Sequence, residues 1–343
     1  MKVALLRDTS KKLHSSFWFN TWENYCIDNQ IEYSVINPFK KNIIDKLKNF
    51  DVVLWHFSGY FLKDILFARD ILYSAKKMGL KVFPDFDDCW HFDDKIAETY
   101  LLQSVNAPIP TSLMYYSLDD LKDDIEDIRM PIIAKLRNGS GSHNVKLIKD
   151  KKELLKYSYR MFSKGFSSSP SLIYKTTSNV KSSKSFKVFI NRAKRIPEFL
   201  KILTSANEFP NEKGYVYLQE YIPNNGYDLK IVVVGDKLSF IGRNIRVGDF
   251  RASGGGDLFY DKKFITKNVI DSAFKTTDLL GFRCMGYDYV VNKETGEGII
   301  IEISYGFSHE ALLMAKGYFD RDGIWYDVPL NAPIELLENL LNE

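Results

Sequence analysis

The first hundred residues alternate short apolar segments with segments of helical periodicity. Residues 3–6, 52–55 and 81–83 are brief apolar runs of the length and composition typical of buried strands. Between them, residues 18–30 and 62–77 carry apolar side chains at helical spacing. This alternation predicts a small parallel α/β unit at the N-terminus.

The last 130 residues or so predict a different, antiparallel-leaning architecture. A Gly235-Asp236 turn separates two apolar runs and predicts a hairpin, and Gly281 ends a helical segment. These signals favour an α+β half in which strands pair with their neighbours along the chain. The strands and the helix predicted here cover residues 215–222, 229–234, 238–241, 268–280, 287–291 and 298–303, and a separate strand is predicted before them at 131–135.

Composition narrows the class of protein. The 343 residues are 45% hydrophobic and 14% aromatic, which excludes a largely disordered chain and suffices for about two domains. No apolar run approaches the roughly 20 residues of a membrane span, and the N-terminus is charged too early for a signal peptide. Three scattered cysteines indicate a reduced, cytoplasmic protein without a disulfide framework.

The overall charge is balanced, but its distribution is not. With 47 Lys and Arg against 44 Asp and Glu, the net charge of +3 argues against a dedicated nucleic-acid binder. Acidic residues concentrate in 85–94 and 119–127, where we expect solvated faces, and basic residues concentrate in 175–201. The basic stretch has few interleaved aromatics, so we interpret it as a contact for an anionic substrate rather than for nucleic acid.

Lys135 ends an apolar strand and is followed by a loop that contains Gly139, Ser140 and Gly141. Glycines allow backbone N–H groups to approach phosphate oxygens closely, and a lysine adds a positive charge. A plain Gly-Ser turn between two strands would have the same sequence. The loop is not a Walker A motif, because no Gly-Lys-Ser/Thr follows it.

Two acids interrupt apolar strands near the C-terminus. Asp288 lies within residues 286–291, and Glu302 lies within residues 299–304. An unpaired charge in such a strand is costly, so we expect the two acids to share a cation, and Mg²⁺ prefers oxygen ligands of this kind. The alternative is that both acids face outward at a sheet edge.

Two further segments carry polar residues among apolar ones. Gln219 and Glu220 interrupt a strand whose edge suits a purine, although any edge strand has the same pattern. Basic residues of the hairpin and of the segment after it would concentrate positive charge for a phosphoryl group or a carboxylate. These basic residues are Lys230, Arg243, Arg246 and Arg251.

In this order, the features resemble the ATP-grasp superfamily, in particular the branch of ribosomal-protein glutamate ligase and glutathione synthetase. The resemblance spans about residues 94–310. It implies an ATP-grasp fold, α/β and α+β, with a Rossmann-like N-terminal domain and two α+β lobes that sandwich ATP. The implied domains are 1–107, a central lobe at 108–205 and a C-terminal lobe at 206–343, which bears the metal site.

The resemblance also implies roles for individual residues. The implied ATP-binding residues are Lys95, Lys135, Gly139, Ser140, Gly141, Gln219, Glu220, Tyr221, Ile222 and Asp228. The implied catalytic residues are Arg243, Arg251 and Lys230, and the implied Mg²⁺ ligands are Asp288, Glu302 and Ser304. The sequence departs from the family at Ser304, where the family has Asn, and at Lys230, where the family usually has Arg.

The function that this resemblance implies is ATP-dependent carboxylate–amine ligation through an acyl phosphate. One substrate would be an amino acid or another amine, and the other would be an acidic small molecule, a peptide or an acidic sugar. The resemblance also allows a homo-oligomer. Two other interpretations stay open: a kinase on the same fold, and a nucleotide-binding protein with impaired catalysis, which Ser304 suggests.

Overall fold

Three β-sheets organise the chain in the computed structural model, which describes residues 1–7, 17–59, 61–139, 144–167, 210–245 and 257–343. The first is a parallel sheet of order β2-β1-β3-β4. Its strands are β1 (Lys2–Leu6), β2 (Glu32–Ile36), β3 (Val52–Leu54) and β4 (Lys81–Phe83). The helices of this region are α1 (Phe17–Asp28), α2 (Ile43–Leu47) and α3 (Leu62–Lys77). The predicted parallel α/β unit is confirmed.

The second sheet is antiparallel and has the order β5-β10-β6-β7. Helices α4 (Phe86–Cys89) and α5 (Lys95–Ser104) lead into it. Its strands are β5 (Ser112–Tyr115), β6 (Ile132–Lys135), β7 (Val145–Ile148) and β10 (Val216–Glu220). The helices α6 (Leu118–Asp124) and α7 (Lys151–Met161) and the short pair β8 (Phe166–Ser167) and β9 (Asn211–Glu212) complete this part.

The third sheet is antiparallel, with the order β15-β14-β11-β12-β16-β17, and β13 pairs with β12. The predicted hairpin is β11 (Tyr227–Val234) and β12 (Lys237–Asn244), joined through Gly235, whose φ of 56° suits glycine. The other strands are β13 (Leu258–Phe259), β14 (Cys284–Val291), β15 (Gly298–Ser304), β16 (Tyr318–Phe319) and β17 (Trp325–Tyr326). The helices are the 3₁₀ turn Lys262–Phe264, α8 (Lys267–Leu280), α9 (His309–Leu313) and α10 (Ala332–Asn342).

Two hydrophobic cores lie within these three sheets. The parallel sheet and the third sheet share one core, in which Trp18 and Phe83 pack in the same cluster as Tyr305 and Leu336. The second sheet has its own core around Leu154. Strand β10, which follows the predicted boundary at residue 205, is hydrogen-bonded into the second sheet between β5 and β6. The domain boundaries themselves stay a prediction.

The acidic run at 85–94 is not the solvated face that we expected. Asp85 and Asp88 form a capping box at the start of α4, and their residues are 8% and 1% exposed. The Asp88 carboxylate also accepts the N–H of Arg283, 3.2 Å away, at the start of the third sheet. Burial raises the pKa of Asp88 to about 7. Asp88 therefore links the N-terminal region to the third sheet through this hydrogen bond.

Strand β15 is an outer strand of the third sheet and contains a β-bulge. Asp288 on β14 is the register partner of Glu302, and Tyr289 is the partner of Ile300, so Ile301 is an extra residue without a partner on β14. The Ile301 carbonyl accepts a hydrogen bond from the Lys135 side chain instead of belonging to a residue paired with β14. The bulge directly adjoins the paired acids Asp288 and Glu302 of the predicted metal site.

Two smaller findings complete the description. Among the helices of the described ranges, none has the length and apolarity that a bilayer span requires. All three cysteines are buried free thiols.

Candidate active site

Four charged side chains lie together on one face of the third sheet. Asp228 on β11 is the register partner of Arg243 on β12, and Lys230 on β11 is the partner of Asp288 on β14. Arg243 Nε lies 2.5 Å from Asp228 Oδ1, and its Nη2 lies 3.1 Å from Asp288 Oδ2. Lys230 Nζ lies 2.5 Å from Asp288 Oδ1. The two acids and two bases thus form a connected, buried charge cluster.

The pKa values of these acids follow their surroundings. Burial acts to raise the pKa of Asp288, but Arg243 and Lys230 more than offset it and hold this pKa below its usual value. Burial raises the pKa of Asp228 to about 6, although Arg243 opposes the shift. Asp288 is therefore the anion to which both bases are bound.

Lys95 lies in a second cluster, at the start of α5. Its side chain is 3% exposed, donates a hydrogen bond to the Gly139 carbonyl and lies 3.5 Å from Glu302 Oε1. Burial alone would lower the pKa of Lys95, but Glu302, Asp93 and Glu98 raise it above its usual value. Lys95 is thus charged and joins the glycine-containing loop to β15.

Lys135 reaches β15 from the second sheet. Its Nζ donates to the carbonyl of Ile301, the bulge residue, at 3.1 Å. Burial lowers the pKa of Lys135 to about 8, with Glu302 opposing and Lys95 adding to the shift. Both predicted phosphate-binding lysines therefore meet the strand that carries Glu302.

Asp288 and Glu302 fit a shared Mg²⁺ ion by their chemistry. They are register partners on neighbouring strands, and each offers carboxylate oxygens beside protein cations that balance their charge. Within the described part of the chain, no three His, Cys, Asp or Glu side chains converge as a metal site. Two carboxylates suit Mg²⁺, which keeps several waters and completes its shell with substrate phosphates.

Ser304 is engaged in a turn of the backbone at the end of β15. Its hydroxyl accepts the N–H of Gly306 at 3.0 Å and donates to the Gly306 carbonyl at 3.2 Å. This geometry gives Ser304 a local role in the turn that follows Glu302.

The start of the glycine-containing loop is bound by the segment before α5. Asp93 Oδ1 accepts the N–H of Gly139 at 3.1 Å, and Arg137 Nε donates to Asp94 Oδ2 at 2.8 Å. Gly139 has a φ of 123°, and a Cβ there would lie 2.5 Å from Asn144 Nδ2, so only glycine fits. Both the N–H and the carbonyl of Gly139 are consequently held by residues at 93–95.

The predicted adenine-lining residues lie where the second sheet joins the third. The Gln219 amide donates to Tyr217 Oη at 3.1 Å and to Ser112 Oγ at 3.3 Å, so its side chain serves a buried network. Glu220 is exposed, and its N–H donates to the Thr111 carbonyl at 2.8 Å. Tyr221 and Ile222 are half-buried on the connection to β11.

Several predicted residues lie outside the described ranges. They are Ser140, Gly141, Arg246, Arg251, the basic stretch 175–201 and most of the Ser/Lys-rich segment 163–185. Their roles stay predictions.

The structure adds two acids to the site, Asp93 and Glu98. Glu98 is 3% exposed, lies one helical turn after Lys95, and accepts the N–H of Ile303 at 3.3 Å. Burial, followed by the nearby Glu302, raises the pKa of Glu98 well above its usual value. A signal existed in the sequence, because Lys95 and Glu98 share the helix face that carries Leu102. Their partners are distant in sequence, so periodicity alone does not identify them.

Comparison with solved structures identifies the fold. D-alanine–D-alanine ligase from Bacillus anthracis has a TM-score of 0.60 at 16% identity, over 100% of this chain and 98% of that chain. The macrocyclase MdnC from Microcystis aeruginosa MRC, bound with its precursor peptide MdnA, has a TM-score of 0.57 at 12% identity over 100% of both chains. The ATP-grasp ligase PsnB, complexed with the precursor peptide PsnA2 and AMPPNP, has a TM-score of 0.56 at 11% identity, over 99% and 97%.

The sequence itself matches no family model and no curated protein. The structural likeness nevertheless extends over the whole chain. The chain therefore has the ATP-grasp fold, as predicted.

Proposed function

We propose that this protein is an ATP-dependent carboxylate–amine ligase. The observation that carries the proposal is the convergence of Lys95 and Lys135 on β15, beside the paired acids Asp288 and Glu302. These are two cations suited to phosphates and two carboxylates suited to Mg²⁺, on a fold shared with the ligases above. Fold likeness alone would not carry a function.

The two lysines would bind the ATP phosphates. Each is buried at 5% exposure or less, where a charge acts through a lower dielectric than in water. Lys95 contacts Gly139 and Glu302, and Lys135 contacts Ile301. A phosphate would replace these contacts with stronger charge-assisted ones. Gln219, Glu220, Tyr221, Ile222 and Asp228 would lie along the adenine and ribose, with Gly139, Ser140 and Gly141 over the phosphates.

Asp288 and Glu302 would hold Mg²⁺, which supplies positive charge to the phosphates when bound. Lys230 and Arg243 orient the Asp288 carboxylate from both of its oxygens, so this residue is fixed before substrate arrives. Ser304 would support the metal site through the turn that it stabilises.

The chemistry would proceed in two steps. A carboxylate oxygen of the acid substrate attacks the γ-phosphorus of ATP, and ADP leaves. The amine then attacks the acyl carbon, loses a proton and expels inorganic phosphate, which leaves an amide. Arg243, Lys230 and, by prediction, Arg251 would stabilise the negative charge on the transferring phosphoryl group and at the acyl centre.

The substrate class proposed here is an amino acid or another amine together with an acidic small molecule, peptide or acidic sugar. Support comes from the local charge: the basic stretch 175–201 has the composition to receive an anion. MdnC and PsnB were both determined with precursor peptides, which favours a peptide among these candidates. We propose the cytoplasm as the location and a homo-oligomer as a possible state.

A kinase on this fold is the second candidate, because the same lysines and acids would serve phosphoryl transfer to a hydroxyl. An impaired nucleotide-binding protein is the third, since Ser304 stands where the resembling family has Asn. Amide formation distinguishes the ligase from both.

The test is a screen for ADP release over pooled amino acids with acidic peptides and acidic sugars, repeated with hydroxylamine as the amine. A ligase forms a hydroxamate, detected by mass spectrometry, in proportion to the ADP released. Asp288→Asn and Glu302→Gln should each lower this turnover at least 100-fold, while the remote Asp236→Asn should leave it unchanged. A phosphate ester in place of the hydroxamate would establish the kinase, and ATP binding without any turnover would favour the impaired protein.

A further inference from the structure

The outer edge of β15 is held by residues that come before the second sheet and within it. The Ile300 N–H donates to the Pro108 carbonyl at 2.7 Å, and the Ile301 carbonyl accepts from Lys135. The Ile303 N–H donates to Glu98 Oε2 at 3.3 Å. An outer strand normally presents such groups to water or to another strand. Here three contacts, at residues 300, 301 and 303, bind that edge on both sides of Glu302.

Of these three contacts, the one from Glu98 is the only one made by an acid. Burying this carboxyl group is costly. Its residue is 3% exposed, and it lies near both Lys95 and Glu302. A buried acid beside a second acid requires a compensating role. Its hydrogen bond to the residue directly after Glu302 provides one, because the backbone at 303 sets the direction from which the Glu302 side chain projects.

We infer that Glu98 is a positioning residue for Glu302, and that it acts through the hydrogen bond from the Ile303 N–H. This rests on the proposed function, in which Glu302 holds Mg²⁺ with Asp288. Because α5 also carries Lys95, one helix then positions both a phosphate-binding lysine and a metal-binding acid. Glu98 does not itself touch the metal or the nucleotide.

Two conservative variants separate the reach of the side chain from its charge. Glu98→Gln keeps an oxygen at the same distance from Ile303, whereas Glu98→Asp keeps the acid but is one methylene too short. Neither variant creates a large cavity, so both are expected to fold. Glu153→Asp is the matched control, since Glu153 also accepts a backbone N–H, from Lys149 at 3.0 Å, on the separate helix α7.

The measurement is Mn²⁺ binding to the full chain in the presence of AMPPNP, followed by electron paramagnetic resonance. Partners of metal ligands typically contribute 10–100-fold to metal affinity. We expect Glu98→Asp to weaken Mn²⁺ binding about tenfold or more, and Glu98→Gln and Glu153→Asp to stay within about threefold of wild type. Hydrogen exchange at the Ile303 amide should quicken only in Glu98→Asp.

Three results would overturn the inference. If Glu98→Asp bound Mn²⁺ as tightly as wild type, the positioning role would be contradicted and the proposed function would not be affected. The same would follow if Glu98→Gln and Glu98→Asp lost Mn²⁺ affinity equally. If the wild-type protein failed to bind Mn²⁺ with AMPPNP while the Ile303 amide remained protected, the metal assignment in the proposed function would fail, and the role of Glu98 with it.

Discussion

At the scale of single residues, the site depends on charges that compensate one another in a buried environment. Asp288 is bound by two bases, and Lys95 is bound by an acid and a carbonyl. Removing one member of such a cluster leaves its partners buried without a counter-charge, which costs more than the interaction itself contributed. The charge cluster is therefore a structural element as well as a candidate catalytic one.

We expect Asp288→Asn to lower the free energy of unfolding by about 3–5 kcal/mol, because Lys230 and Arg243 lose a shared anion in a buried site. Asp236→Asn is the matched control: this aspartate also pairs with an arginine, Arg321, but its side chain is 80% exposed. The control should cost less than about 1 kcal/mol. Chemical denaturation of both variants checks the prediction, and equal costs would contradict it.

Asp93 predicts a pH dependence of stability. Burial raises its pKa to about 6, with Lys95 opposing, from an ordinary value of 3.8. A raised carboxyl pKa penalises the folded state above pH 6, and the penalty disappears as the pH falls below 4. Asp93→Asn lacks this group but keeps an oxygen for the Gly139 N–H. As the pH rises from 4 to 7, the free energy of unfolding of the variant should therefore increase relative to that of wild type, by at most about 3 kcal/mol.

Denaturant unfolding of wild type and Asp93→Asn at pH 4, 5, 6 and 7 measures this difference. A difference that stays constant over the range, or that grows in favour of wild type as the pH rises, is incompatible with the raised pKa.

At the scale of elements, α5 connects three parts of the site. Lys95 binds the glycine-containing loop, Glu98 binds β15, and the Thr99 hydroxyl lies 2.8 Å from Tyr217 Oη on β10. Tyr217 in turn accepts from Gln219. Three residues within two turns of one helix thus contact three different elements.

The contact between α5 and β10 can be measured as a coupling energy. In a double-mutant cycle of Thr99→Val and Tyr217→Phe, we expect a coupling of about 1 kcal/mol, because both hydroxyls are buried. Thr99→Ser keeps the hydroxyl and should preserve most of the coupling with Tyr217→Phe. Equilibrium unfolding of the four chains provides the values, and a coupling near zero would show that the hydroxyls do not interact.

The sequence predicts elements better than it predicts their contacts. The hairpin around Gly235, the helix that ends at Gly281 and the pairing of the strands of Asp288 and Glu302 follow from local patterns, and the structure has all three. Strand β2 was not predicted, because its residues are half exposed and lack a strong apolar run. The bulge at Ile301 and the bond from Glu98 to Ile303 depend on packing between distant segments, which periodicity does not encode.

At the scale of the whole molecule, the two hydrophobic cores do not follow the order of the sequence. The N-terminal and C-terminal sheets share a core, and the second sheet between them has a separate one. None of the five tryptophans belongs to the separate core, which includes Leu154, whereas Leu54 packs in the shared core. Four of the five tryptophans lie in the shared core or pack against it, so tryptophan fluorescence reports mainly on the shared core and not directly on the separate one.

We expect the two cores to unfold as separate units. Leu154→Ala and Leu54→Ala each remove a fully buried side chain, at a cost of about 2–5 kcal/mol. In denaturant unfolding, Leu154→Ala should move part of the circular-dichroism transition to lower denaturant concentration and leave the fluorescence transition unchanged. Leu54→Ala should move the fluorescence transition to lower denaturant concentration. Identical shifts by both probes in both variants would mean that the chain unfolds as one unit.

The most direct test of the ligase proposal follows one oxygen atom. An acid substrate identified by the ADP screen is labelled with ¹⁸O in its carboxylate and is incubated with the protein, ATP and the amine. Passage through an acyl phosphate transfers one carboxylate oxygen to phosphorus, so the account predicts inorganic phosphate that carries one ¹⁸O for each amide formed. Phosphate without ¹⁸O, at undiminished amide yield, would contradict it.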